Sequence, residues 1–159
     1  MVYRIAGVYR RRIDEILPFF DKAELREEPD DTVLVLPPAA PDGPSAEVRA
    51  MPAGFYVHWF AKRRLPIEDQ KQRDQVFANL GRWTERLYQR EMYADFGRKT
   101  GELTVGRFRL VPFAANPALS VRLIEEGLDE VAAYRDDVAA AVDEQLRKLA
   151  AGPQKPAAP

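Results

Sequence analysis

Three observations predict an α+β fold. Short β-branched or aromatic runs occur at several points along the chain, and two long stretches carry apolar residues at spacings of three and four. These strand and helix signals do not follow a regular βαβ order. At 159 residues the chain suits one domain and is long enough to bury a core. The expected architecture is a small, mostly antiparallel sheet of three to four strands, with two long helices and a shorter N-terminal helix packed on it. Residues 1–150 make up this domain. Residues 151–159, rich in Ala and Pro, form a tail expected to be disordered unless bound.

The elements follow in order. Val2 to Val8 reads as a short strand. From Tyr9 to Ala23, Ile13, Ile16, Leu17 and Phe20 form one helical face, and Pro18 kinks that helix or ends it near Leu17. Residues 24 to 31 are acidic, contain Pro29 and read as a loop. Thr32 to Leu36 is a strand ended by Pro37 and Pro38. Four prolines and an Asp-Gly make 37–44 a loop, and Glu47 to Met51 reads as another short strand.

Phe55 to Phe60 is the clearest strand. Alternation puts Phe55, Val57 and Trp59 on one face and Tyr56, His58 and Phe60 on the other. Both faces are aromatic, so either both are covered or one is an interaction surface.

Pro66, Glu68 and Asp69 suit a first helical turn. Val76, Leu80, Trp83, Leu87 and Ala94 extend an apolar stripe, which predicts a helix to about Phe96, stopped at Gly97. A turn over 97–101 leads into a strand from Leu103 to Val111. Its Arg107 and Arg109 share a face with Leu103, Val105 and Val111. Asn116-Pro117 is a helix start, and helical periodicity continues to about Leu149.

This last helix has a seven-residue register. Val121, Ile124, Leu128, Val131, Arg135, Val138, Val142, Gln145 and Leu149 form one seam, and three acidic pairs face away from it. Such a seam needs a partner. It packs on the helix expected over 66–96, or it is the interface to another chain through Val121, Ile124, Leu128, Val131, Arg135, Val138, Val142 and Leu149.

Composition narrows the function classes. The absence of cysteine excludes disulfides and thiolate chemistry, and a single histidine excludes a multi-His metal site within one chain. Two serines and four threonines leave few hydroxyl nucleophiles. Gly97-Arg98-Lys99-Thr100-Gly101 lacks the order of a phosphate-binding loop, and no dinucleotide or nucleophile-elbow motif occurs. The adjacent carboxylates Glu27-Glu28, Asp30-Asp31 and Asp136-Asp137 diverge on an element and make poor acid–base pairs. No cofactor is expected, and no catalytic residue is assigned.

The net charge of −1 conceals segregation. Residues 1–48 hold 6 basic and 10 acidic residues (net −4), residues 49–112 hold 13 and 7 (net +6), and residues 113–159 hold 5 and 8 (net −3). The basic middle surface comprises Lys62, Arg63, Arg64, Arg82, Arg86, Arg90, Arg107 and Arg109. Arg82, Arg86 and Arg90 are spaced as a ridge of the expected helix.

These features point to a non-enzymatic interaction or assembly protein, a subunit or adaptor of a larger complex such as a viral or bacterial particle. Its partner is another protein or a second copy of the chain. The alternatives are single-stranded nucleic acid on the basic, aromatic middle segment, or a ligand-binding or catalytic site around His58. No signal-peptide pattern or membrane-spanning run occurs, so a cytoplasmic protein, or one within a soluble particle, is expected, with no membrane partner.

Overall fold

A computed structural model describes the backbone over residues 2–152 and the side chains over residues 9–152. Six strands form one antiparallel sheet: β1 (Glu24–Glu28), β2 (Asp31–Leu36), β3 (Ser45–Met51), β4 (Gly54–Arg64), β5 (Met92–Phe96) and β6 (Glu102–Pro112). Their spatial order is β1-β2-β3-β4-β6-β5. Three helices accompany them: α1 (Val2–Ile16), α2 (Gln70–Trp83) and α3 (Pro117–Ala150). The α+β class is as expected, but the sheet has six strands, where three to four were expected.

The two additional strands are those whose sequence hides them. β1 reads Glu-Leu-Arg-Glu-Glu. It is an edge strand, where charge blunts the unpaired backbone and erases the apolar alternation. β5 lies within the stretch expected to be helical. The helix expected to run to Phe96 ends at Trp83, where the Thr84 hydroxyl donates to the Leu80 carbonyl at 2.7 Å. A short 3-10 turn follows at Glu85–Leu87. Glu91 then adopts φ 70°, the left-handed conformation that no helix interior contains. At the other end, Val2 to Val8 belongs to α1 and is no strand. A short apolar run cannot by periodicity alone be assigned to helix or strand. Pro18 sits in the 3-10 turn that follows Ile16, so the helix ends where proline forces it to. The tail expected at 151–159 falls outside the described residues from 153 onward.

All three helices cover one face of the sheet. Ala46, Val48 and Ala50 of β3, Phe55, Val57, Trp59 and Ala61 of β4, and Leu103, Val105 and Val111 of β6 are buried beneath them. Ile13 and Ile16 of α1 pack at the β2–β3 end, and Val76 and Leu80 of α2 at the β5 end. Between them lies α3, which contributes Val121, Ile124, Val131, Tyr134, Val138 and Val142 to the core. The Trp59 indole donates to the Ile124 carbonyl at 2.8 Å, pinning α3 over the sheet centre.

A candidate docking face on the open side of the sheet

The opposite face of the sheet carries no helix, and its register divides it into two unlike halves. On β1, β2 and β3 it is charged. Arg49 bonds Glu28 at 2.8 Å and Asp31 at 3.2 Å, and Arg26 bonds Glu47 at 3.1 Å and Glu28 at 3.2 Å. Val33, paired with Arg26 across the strands, is fully buried in this half. Charged side chains laid flat over a valine thus seal this half of the sheet, and their cations are matched by carboxylates.

On β4, β6 and β5 the same face is aromatic. The antiparallel register sets Tyr56 opposite Leu110, His58 opposite Phe108, Phe60 opposite Gly106, and Gly106 opposite Tyr93. The His58 imidazole stacks on the Phe108 ring, with centroids 4.0 Å apart and planes 5° from parallel. His58 Nε2 and the Tyr93 hydroxyl share a hydrogen bond of 2.7 Å. Gly106 permits this arrangement. A Cβ there would lie 2.3 Å from the Tyr93 ring, so only a residue without a side chain lets Tyr93 lie flat across β6 toward His58. Tyr56, Phe108 and Leu110 remain 40%, 45% and 42% exposed. Met51, on the same face of β3, continues the patch and is also exposed.

Burial pushes the His58 pKa below its ordinary value, partly offset by the nearby Glu47 carboxylate. Burial raises the Tyr93 phenol, with a smaller contribution from Asp95. The histidine therefore favours its neutral form, and the patch lacks the positive charge a protonated ring would place there. Two cavities bear on the candidate surfaces. One, of about 50 Å3, lies beside Trp59 and Arg107, and the other, of about 620 Å3, flanks the end of α3. His58 lines neither.

The interface residues expected on α3 are mostly occupied within the chain. Val121, Ile124, Val131, Val138 and Val142 are buried, and α3 packs mainly on β4 and β6 of the sheet, with a smaller contact to α2, the part of the helix expected over 66–96 that forms. Arg135 is also buried. It donates to the Asp42 carbonyl, which ties the 37–44 loop to α3, and it pairs with Asp136 at 3.0 Å. Leu128 is half-buried and Leu149 is exposed.

The expected basic surface is dispersed. Lys62 pairs with Glu102, Arg63 with Asp136, and Arg107 with Glu91 and Glu130. Arg64 and Arg109 are exposed. Because the helix stops at Trp83, Arg82, Arg86 and Arg90 do not form one helical ridge. Arg82 bonds the side chain of Asn79 at 2.8 Å. All three are exposed and have no carboxylate within ion-pairing distance among the described residues.

Residues 56, 58 and 60 were legible as an aromatic face, but Tyr93, Phe108 and Leu110 were not placed with them. Phe108 and Leu110 alternate with Arg107 and Arg109 in a recognised strand, so strand parity alone assigns them to the side opposite Leu103 and Val105. Tyr93 was hidden by the misread helix.

Among the described residues no helix is long and apolar enough to cross a membrane, and no cluster of three or more His, Cys, Asp or Glu side chains could hold a metal ion. Comparison with protein-family models, with curated protein sequences and with solved structures gives no match.

Proposed function

We propose that this chain is a protein-interaction module that docks a partner protein on the open aromatic half of its sheet. One observation carries the reading: Tyr56, Phe108 and Leu110 sit side by side on the neighbouring strands β4 and β6, each about half exposed, while the neighbouring half of the same face is sealed by ion pairs. Contiguous exposed apolar surface of this kind marks sites of association. Fully burying one such side chain is worth about 1.5–3 kcal/mol, so completing the burial of three gives a partner a few kcal/mol before any polar contact is made. The partner's matching surface is apolar, because the patch offers rings and methyl groups.

The same charge matching weighs against single-stranded nucleic acid at this face. Stacking platforms for nucleic acid work with free cations that meet the phosphates. Here Arg26, Arg49 and Lys62 each hold a carboxylate, which leaves on this half of the face the exposed Arg64 at the far end of β4 without an ion pair among the described residues. The polyanion reading draws its support from Arg82, Arg86 and Arg90, away from the rings. It predicts binding of a short single-stranded DNA that weakens more than tenfold between about 50 and 200 mM salt.

The docking reading is tested by selecting peptides from a displayed library on the folded protein. Apolar peptides whose affinity falls at least tenfold on Phe108→Glu, and is unchanged by Phe77→Glu on α2, support it. Selected peptides indifferent to Phe108→Glu would refute it.

A further inference from the structure

α3 is longer than the sheet needs. Its 34 residues span about 51 Å, against about 36 Å for the 11 residues of β4. The last fully buried residue of α3 is Val142; in the two turns that follow, 143–150, Leu146 alone among the apolar side chains still packs partly against the core, and the end of the helix runs past it. Alongside this overhang lies the groove of about 620 Å3. One wall is Leu65, Pro66 and Ile67, and the other is α3 itself, through Ala139, Val142, Leu146 and Ala150. Leu149 stands half-exposed at the end of the same helix.

We infer that this overhang is a self-association surface, on which the ends of two α3 helices from two copies of the chain pack antiparallel across a two-fold axis. The charges along the helix argue for a second copy as the occupant. Asp143 and Arg147 both line the groove, one turn apart, and pair within the helix. An antiparallel arrangement centred near Gln145 sets Asp143 of each copy across from Arg147 of the other, so the two intrahelical pairs join into one alternating four-charge network. The same axis places Ala140 of each copy opposite Ala150 of the other. Small residues at both ends allow the backbones to approach closely, and Leu146 lies one residue from the axis, so the two copies of it sit near each other. Each helix end then rests between the partner's α3 and the partner's Leu65–Ile67 wall. A contact of this kind is isologous and closed, and it yields a dimer, not a filament. Apart from Val142, the α3 residues of the groove lie outside the Val121–Val142 stripe that the chain's own sheet covers. It also lies apart from the open aromatic face, so it does not depend on the docking reading.

The experiment is the measured mass of the full chain and of two charge variants, Asp143→Arg and Arg147→Asp, by sedimentation equilibrium. Both positions are exposed, and each variant loses one surface i,i+4 pair, so circular dichroism is expected to show an intact fold. The wild type is expected at twice 18.1 kDa. Each variant alone faces like charge twice across the axis and is expected to dimerise at least tenfold more weakly. An equimolar mixture of the two restores opposite charge at both contacts and is expected to recover the dimer. Phe108→Glu is expected to leave the dimer intact. Three results would overturn the inference: a wild type that stays at 18.1 kDa up to about 1 mM, variants that dimerise like the wild type, or a mixture that stays monomeric. A dimer abolished by Phe108→Glu but not by the α3 variants would overturn it too, by placing the contact on the sheet.

Discussion

Trp59 lies across Gly127 of α3 so closely that a Cβ at residue 127 would sit 2.3 Å from the indole. The indole is buried and hydrogen-bonded to Ile124, so it cannot yield. Gly81, in the last turn of α2, has nothing within 4 Å of the equivalent position. Two glycine-to-alanine changes in helices are therefore expected to differ in sign. Gly81→Ala gains helix propensity and is expected to stabilise by about 0.5–1 kcal/mol. Gly127→Ala gains the same propensity but overpacks the core, and is expected to destabilise by about 1–3 kcal/mol; urea unfolding of both reads the difference. The sequence alone marks both as helical glycines and cannot separate them, because the distinction lies in a contact between residues 68 positions apart. His58 offers a second residue-level test. Its native pKa lies below that of the unfolded chain, near 6.5, so below that value the unfolded state takes up the proton more readily. Stability therefore falls as pH drops from about 6.5 toward the native pKa. His58→Phe keeps an aromatic ring over Phe108 and is expected to flatten the dependence of Tm on pH across that window. A dependence unchanged in the variant would show that His58 is not its source.

Among the elements, β4, β6 and α3 were legible because each carries its own boundary signals. Asn116 accepts from the Ala118 amide at 3.1 Å, as an N-cap ahead of Pro117 should. Asn116→Ala is expected to cost about 0.5–2 kcal/mol in thermal or urea unfolding, the loss of a single cap. The heptad pattern of α3 was a true signal of a helix needing an apolar partner. It could not say whether the partner was a helix, a sheet or another chain, since an apolar stripe fits all three. β1 and β5 were illegible for opposite reasons: β1 has too little apolar content, and β5 has apolar residues that fell in phase with the helix before it. That second error displaced the site as well, because Tyr93 completes the aromatic cluster only once β5 is recognised beside β6.

For the whole molecule, the segregation of charge into −4, +6 and −3 segments finds much of its explanation within the chain. Arg49 of the basic segment meets Glu28 and Asp31 of the first acidic segment, and Arg63 and Arg107 meet Asp136 and Glu130 of the last. Exposed pairs of this type add little stability, about 0–1 kcal/mol each. Arg63 and Arg107 tie the helical face of the sheet to α3, whereas on the open face the pairs of Arg26 and Arg49 balance the charge beside the uncovered rings and leave the patch itself apolar. α1, α2 and α3 all lie on the other face, so the open half of the sheet is what the fold presents outward. The measurement that tests this most directly is NMR mapping of a selected apolar peptide on the labelled protein. Perturbed resonances are predicted at Tyr56, His58, Tyr93, Phe108 and Leu110, with those of α2 and of the Arg26–Glu47 half unchanged. Perturbations confined to the helical face, with the aromatic resonances unmoved, would contradict the account.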